Sequence, residues 1–369
     1  MSARAGQRAI LLAGLLAGAW AHAAAPAGHG IDLAPGLTVT SVVHDAIDYE
    51  GLSVYQQIDA QGLKRVVRWT QDDAQAGKRS HSAIFVTRPE DLESAHRLII
   101  VWQSGDPENF PGAVQGVASR AIRRDLLDSG ATALVLGAAP VQSGAALLGG
   151  LLGGRKYYRG TLTRVEKSPL PMSVLLDGRR TTVPVIHARG MVSVGDSSGS
   201  AELWILNDDR LPLILRWDAL GASVRVVRIE NPPAPRDAAA GRMHGIDLGQ
   251  ALADGCHAEL DGIHFTSDSA ELLPESAAAL QAAAAVVAAH PDWKFMIEGH
   301  TDNLGGPDHN LDLSRRRAAA VRDALVARHH VPAARLEVRG FGLTRPVETN
   351  DTLEGRARNR RVELSRQCP

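Results

Sequence analysis

Asp302 and Arg317 are the residues best placed to do recognition chemistry, both within WKFMIEGHTDNLGGPDHNLDLSRRR, residues 293–317. A guanidinium keeps its proton at any ordinary pH, so one drawn toward a core must find an anion or face a cleft. An aspartate accepts from an ammonium, and an arginine offers a planar, two-pronged donor to a carboxylate; a lysine brings charge without the fork. The pair therefore complements a zwitterion. The competing reading is an internal salt bridge in which Asp302 and Arg317 neutralise each other. Backbone N–H groups of residues 302–306 and of the helix start that follows are additional anion donors.

Three elements must position these groups. Trp293–His300 alternates as a strand, with Phe295 and Ile297 on one face and Lys294 and Glu298 on the other. A polar, Gly-rich loop follows. From Pro307 to about His329 the chain reads as a helix, in which Asn310, Leu313, Arg317, Val321 and Ala324 share one face. Arg317 is thus a charge on an otherwise apolar stripe.

The run GHTDNLGGPDHNLDLSRRRA resembles the signature TDxxGxxxxNxxLSxxRA of the OmpA-like C-terminal domain family, at Thr301, Asp302, Gly305, Asn310, Leu313, Ser314, Arg317 and Ala318. The likeness continues through Arg335, Gly340, Gly342, Pro346, Asn350 and Thr352 to Gly355, Arg356, Ala357, Asn359, Arg360, Arg361 and Val362. It extends from about Cys256 to the carboxy terminus. The resemblance implies a periplasmic module that binds peptidoglycan without covalent chemistry, clasping the diaminopimelate group of the stem peptide. Carried over by position, Asp302 and Arg317 match the clasp pair, Thr301, Asn310 and Leu311 stand beside it, and Arg360 forms the far wall. Asp268 sits where the family often has Asn, and an acid there is expected to weaken binding or change which ligand atoms are met. Arg315 and Arg316 read as a solvated helix face.

The same stretch gives a fold expectation. Strands at 259–266, 293–300, 336–340 and 360–365, helices at 274–290 and 307–329, and a helical turn at 355–359 make a βαβαββ-like order. The resemblance identifies this as a small mixed sheet with helices on one face. The whole chain is expected to be α+β, with a mainly antiparallel β-domain preceding the OmpA-like one.

The amino terminus, MSARAGQRAILLAGLLAGAWAHAAA, has the basic start, short apolar run and small-residue cleavage sites of a secretory signal peptide, taken as residues 1–25. Together with export, the resemblance implies a Gram-negative periplasm and association with the outer membrane or cell wall. A formal net charge of -1 argues against nucleic acid as a partner. Only 4% aromatic residues argues against a membrane β-barrel, which needs aromatic girdles. The two cysteines, Cys256 and Cys368, bracket the carboxy-terminal domain, and in an oxidising compartment an even count favours a bridge between them. Neither those cysteines nor His300, His309, His329 and His330 have metal-site spacing, so neither metal nor cofactor is expected.

Residues 31–230 read as a β-rich domain of unassigned role. Segments such as VTSVVHDAI, GLKRVVRWTQ, TTVPVIHARGM and ASVRVVRIE alternate or are β-branched, with turn signals at Asp177-Gly178, Gly195-Asp196 and Asn207-Asp208-Asp209. Its last hairpins are similar in pattern to periplasmic half-barrels of the lipoprotein-carrier type. A helix is expected at about 114–128. Gly130–Gly154 carries no charge and is read as a buried strand at 132–136, a turn and a mobile Gly-rich piece, with membrane contact or a lipophilic groove as the alternative. Ser197-Ser198-Gly199-Ser200 reads as a flexible loop, and no nucleophile–base pair, paired-carboxylate site or phosphate loop stands out, so no catalytic residues are assigned. NPPAPRDAAAGR, residues 231–242, reads as an extended linker to a domain spanning 243–369. The functional expectation is anchoring of the first domain to the wall; the alternatives are a scaffold in an envelope or secretion machine, with a protein partner for the first domain, and a lipid or lipoprotein handler.

Overall fold

The computed structural model describes residues 29–44, 49–73, 77–100, 108–138, 156–244 and 246–367. The signal-peptide reading, most of the Gly-rich piece and Cys368 lie outside them. The architecture is α+β.

The amino-terminal half is built on one sheet. Its strands are β1 (Thr38–His44), β2 (Tyr49–Asp59), β3 (Gly62–Asp73), β4 (Gly77–Thr87), β5 (Arg97–Ile99), β6 (Glu108–Asn109) and β7 (Ala131–Ala138). They continue as β8 (Lys156–Arg164), β9 (Leu170–Leu176), β10 (Arg179–Val194), β11 (Ser197–Leu206), β12 (Ile214–Ala219) and β13 (Ala222–Glu230). The order is β5-β7-β8-β10-β11-β12-β13-β1-β2-β3-β4-β6, with β9 joining β10 and β13. Most pairs are antiparallel. Alternation in sequence becomes burial on one face: Leu203, Ile205, Leu215, Val224 and Val226 share a core with Ile122 and Leu126. The expected turn at Asp177-Gly178 closes the β9–β10 hairpin, and both residues have the positive φ that a tight two-residue connection requires.

Among the described residues two helices, α1 (Pro89–Ser94) and α2 (Arg120–Asp128), interrupt the strands. The helix expected from Val114 begins later, because Ser119 caps it by accepting from Ile122 N–H at 3.1 Å. Val114 and Val117 instead make bridges to Leu98 and Leu213. Ser197–Ser200 is not a loop: it opens β11 in register with Val194–Met191 of β10. The strand expected at 132–136 lies within β7.

The segment expected to be an extended linker folds in its second half. Pro235–Ala239 forms α3, and Ala238 is buried in the carboxy-terminal core. A proline at the first helical position and a run of alanines favour a helix once there is a core to dock on. A two-stranded ribbon follows, β14 (Arg242–Met243) with β15 (Ile246–Asp247), then α4 (Leu248–Gly255).

The carboxy-terminal sheet has the order β16-β19-β17-β18, from β16 (His257–Glu259), β17 (Phe295–His300), β18 (Leu336–Gly342) and β19 (Val362–Arg366). Helices α5 (Ala277–Ala289) and α6 (Pro307–His329) pack on the face that carries Phe295 and Ile297, and α7 (Leu353–Asn359) precedes the last strand. The strand expected at 259–266 stops at Glu259. A turn at Asp261-Gly262, with Gly262 at φ 82°, breaks the alternation, leaving a single bridge between Phe265 and Leu272.

The two sheets meet through α7. On β13 the register slips so that Arg228 pairs with Thr40 and Val226 with Ser41, leaving Val227 as the extra residue of a bulge. A bulge re-aims side chains. Val227 therefore joins Leu175 and Ala357 in a small cluster outside the main core, and Arg228 Nη2 donates to Ala357 O at 2.7 Å. Arg225 pairs with Glu354 at 2.7 Å, Arg68 with Glu275 at 2.6 Å and His264 with Glu230 at 2.7 Å. The junction is mainly ionic.

Candidate functional site

The site forms where β17 ends and α6 begins. Thr301 and Asp302 leave the strand as a buried pair, fixed by Thr301 N–H donating to Gly342 O at 3.0 Å and Thr301 Oγ1 to Asp302 O at 2.9 Å. Asp302 Oδ1 accepts from Leu304 N–H at 3.0 Å, which closes the loop on itself. Gly305 completes the bend at φ 86°, where a side chain would be strained. Pro307 then starts α6, and buried Asn310 turns back so that Nδ2 donates to Leu304 O at 2.9 Å. Asn310 thus holds the loop's shape.

Arg317 comes up one face of α6 to the same place. Its guanidinium lies 5.0 Å from the centre of the Phe265 ring, and Nε donates to Ser269 O at 2.8 Å. Burial, and next the charge of Arg360, lower its pKa to about 10, so it stays a cation at neutral pH. That Nε contact is its one hydrogen bond among the described residues, which leaves both terminal nitrogens available. No ion pair links it to Asp302. Asp302 Oδ2 is held at 2.6 Å by Arg360 Nη1, and Arg360 Nη2 reaches Glu50 Oε2 at 2.6 Å.

Asp268 stands near this group with its backbone at φ 50°. Asn and Asp tolerate that left-handed conformation better than other residues with a side chain, a physical reason for either type at this position. Asp268 Oδ1 is 2.7 Å from His309 Nε2. Leu311 is half exposed on the rim. The structure therefore brings Thr301, Asp302, Arg317, Arg360 and Asp268 to one place, with Asn310 behind the loop and Leu311 at its edge. Arg361 and Arg358 turn elsewhere, to Glu363 at 2.6 Å and to Gly178 O.

Residues 264–360 match the OmpA family. The chain carries an OmpA family domain at its carboxy terminus. Over 74 residues it is 50% identical to outer membrane porin F of Pseudomonas aeruginosa, covering 20% of this chain and 21% of that protein. Over 76 residues it is 46% identical to the peptidoglycan-binding protein ArfA of Mycobacterium tuberculosis, covering 21% of this chain and 23% of that one. The chain thus spans under a quarter of the length of either relative. A crystal structure of the peptidoglycan-associated lipoprotein from Burkholderia pseudomallei is 34% identical, covers 28% of this chain and 88% of that one, and has a TM-score of 0.27. The amino-terminal sheet lies outside the family match.

Sequence reasoning missed Glu50 and the carbonyl of Ser269. Nothing local to the OmpA domain motif signals Glu50, since it arrives from β2 across the junction. On the opposite face of the domain's sheet, Glu298, His300 and Glu363 place donor atoms within 4.8 Å of one another. Burial, then Arg361, push the His300 pKa down to about 4. Glu363 is already engaged by Arg361 at 2.6 Å, and Arg345 lies 3.5 Å from Glu298, so both carboxylates have cationic neighbours.

Within the amino-terminal sheet, residues including Val39, Tyr55, Leu98, Leu213, Trp217 and Arg65 line a cavity of about 40 Å³. That is room for a water or two. Buried Arg65 lies 5.8 Å from the Tyr55 ring centre and 5.5 Å from that of Phe85. Among the described residues no helix is long and apolar enough to cross a membrane.

Proposed function

We propose that the OmpA domain binds peptidoglycan non-covalently through the diaminopimelate group of the stem peptide, and so anchors the amino-terminal β-rich region to the cell wall. The observation that carries this reading is the pair of Arg317 terminal nitrogens, without partners among the described residues, beside a buried carboxylate at Asp302. A diaminopimelate end carries an ammonium and a carboxylate on one carbon. Arg317 receives the carboxylate as a fork, and Asp302 receives the ammonium with the lone pairs that Arg360 and Leu304 N–H leave open. Thr301, Asn310 and the 302–306 loop fix the acid, while Leu311 and Asp268 border the ligand. The relative whose name describes it as peptidoglycan-binding supports the same ligand class.

This role is binding, without a catalytic step, in the periplasm and at the outer membrane or wall. In the same proposal the chain comprises a signal peptide at 1–25, a β-rich domain at 31–230, a connector at 231–242 and the OmpA domain at 243–369. A Cys256–Cys368 bridge belongs to the same proposal. Arg366 N–H donates to Cys256 O at 2.9 Å, which brings β19 to the start of β16 two residues before Cys368.

Co-sedimentation of the full chain with purified diaminopimelate-type peptidoglycan tests the clasp. Wild type is expected in the pellet, and folded Asp302→Ala and Arg317→Ala in the supernatant. Equal pelleting of all three would remove the clasp.

A further inference from the structure

The proposed ligand site is shared with the other half of the chain. Arg360 is the hinge of this arrangement: one prong holds Asp302 and the other holds Glu50, each at 2.6 Å. Glu50 also lies close enough to stabilise the Arg317 cation. Both site arginines therefore feel a carboxylate that belongs to neither the OmpA domain nor the ligand.

We propose that the amino-terminal sheet closes the clasp, with Glu50 standing in for a ligand carboxylate, so that docking of the two halves and binding of the stem peptide compete. This rests on the peptidoglycan reading above. An incoming carboxylate meets the open prongs of Arg317 beside the like charge of Glu50, which already occupies one prong of Arg360. An incoming ammonium meets Asp302 with Arg360 pinned beside it, a like charge that Glu50 holds in place. When the halves part, Arg360 loses one anchor and the patch regains a positive charge for the ligand's carboxylate.

The junction has the chemistry of one that can open. It is made of separate ion pairs, Arg68–Glu275, Arg225–Glu354 and His264–Glu230, around an apolar cluster of Leu175, Val227 and Ala357 edged by Val42 and Leu353. Interfaces between domains that are small and polar resemble transient ones, and relative motion is their default. Three of these contacts involve α7 or the residue just after it: Arg225–Glu354, the Ala357 cluster and Arg360 itself. The short helix that docks the sheet therefore also delivers the shared arginine.

The test uses the full chain and diaminopimelate-type peptidoglycan. Glu50→Gln removes the surrogate charge at the site, and Arg225→Glu opposes Glu354 across the junction without touching the site. If nine molecules in ten are docked, each variant should bind up to about tenfold more tightly than wild type, because apparent affinity scales with the competent fraction. Arg225→Glu should also enlarge the radius of gyration, and adding Arg317→Ala to Glu50→Gln should abolish the gain. Binding by Glu50→Gln and Arg225→Glu equal to or weaker than wild type overturns the gate and leaves the peptidoglycan reading intact. No binding by any of the proteins, variants included, removes both.

Discussion

The two sheets of this chain differ in how far apart in sequence their partners lie. The carboxy-terminal sheet and its helices assemble from one stretch, and the candidate residues Asp302 and Arg317 lie just after β17 and on α6, the next element along. The amino-terminal sheet is closed by a pairing of its first strand with its last, Thr38 against Glu230. Chemistry carried by neighbouring elements leaves a compact sequence signature; a sheet closed end to end leaves only alternation. The comparison therefore separates a region whose site can be read from one whose contribution, Glu50, emerges only when the halves meet.

The sharpest way to break this comparison is at the fork. Arg317→Lys keeps the charge but loses the planar donor pair, and Asp302→Asn keeps the shape but loses the acceptor charge. Disrupting one partner of a hydrogen-bonded charge contact costs about 2 to 5 kcal/mol, on the order of thirtyfold or more in affinity. Both variants should leave peptidoglycan in sedimentation while staying folded by circular dichroism, Asp302→Asn melting lower because it breaks the buried pair with Arg360. Full binding by Arg317→Lys would show that charge alone is read.

Much of the OmpA domain was legible because its constraints are local. Pro307 marks the start of α6 and His329 its end, as the periodicity predicts. The alternation of Phe295 and Ile297 gives the buried face of β17. The strand at 259–266 was misread because Ile263 and Phe265 keep the alternation going past a turn at Gly262. The linker was misread because the fate of Ala238 depends on a core built from α5, far along the chain. In the amino-terminal half, strands and turns were visible but their order was not, since alternation is the same in every strand. Residue type and spacing singled out Asp302 and Arg317, which the structure places at the same corner of the domain. The partner of Arg360 was not, because an ion pair across a junction has no spacing to read.

A smaller effect sharpens the contrast within the scaffold. At Gly299 on β17 an added Cβ would lie 2.1 Å from Ser314 O of α6, so the helix rests directly on the strand's backbone. Because backbone cannot swing aside, Gly299→Ala should destabilise the OmpA domain by about 1 to 3 kcal/mol or more and loosen the Thr301–Asp302 exit. Urea unfolding should show the loss in the carboxy-terminal transition while the amino-terminal sheet is spared. A single transition that shifts as one unit would instead make the two sheets thermodynamically inseparable.

The junction itself should respond to pH. Burial, then the neighbouring Asp261 charge, raise the Glu259 carboxyl from its ordinary 4.5 to about 7, while Arg228, Arg358 and Arg361 pull the other way. The folded protein then keeps a proton that the unfolded chain releases, so stability falls as pH rises from 4.5 to 7. His264, raised above 6.5 chiefly by Glu230 against its burial, contributes fully below 6.5 and loses that contribution as pH climbs through its folded value. Glu230, held down at about 2 by His264 and Arg228 against its burial, contributes stability that is fully present above 4.5 and is lost as pH falls from there through about 2. Both Glu259 and His264 therefore predict lower stability at pH 8 than at pH 6, Glu259 alone by on the order of 1 kcal/mol. Glu259→Gln should shrink the difference, as read by thermal melting at the two pH values. A steeper dependence in the variant would place the responsible groups elsewhere.

The smallest expected effect is the most discriminating about which face of α6 meets the ligand. Arg316 is the next-door neighbour of Arg317 but lies on the outer face, paired with Asp312 one turn earlier at 2.7 Å, with both side chains about half exposed or more. An exposed pair at that spacing contributes no more than about 0.5 kcal/mol, less in salt. Arg316→Ala should therefore leave melting and peptidoglycan binding within about twofold of wild type. Arg317→Ala, one position along, should abolish binding. Equal losses from the two substitutions would mean that the wall is met by the positive outer face of the helix as a whole, since a recessed clasp cannot feel a charge pointing away from it.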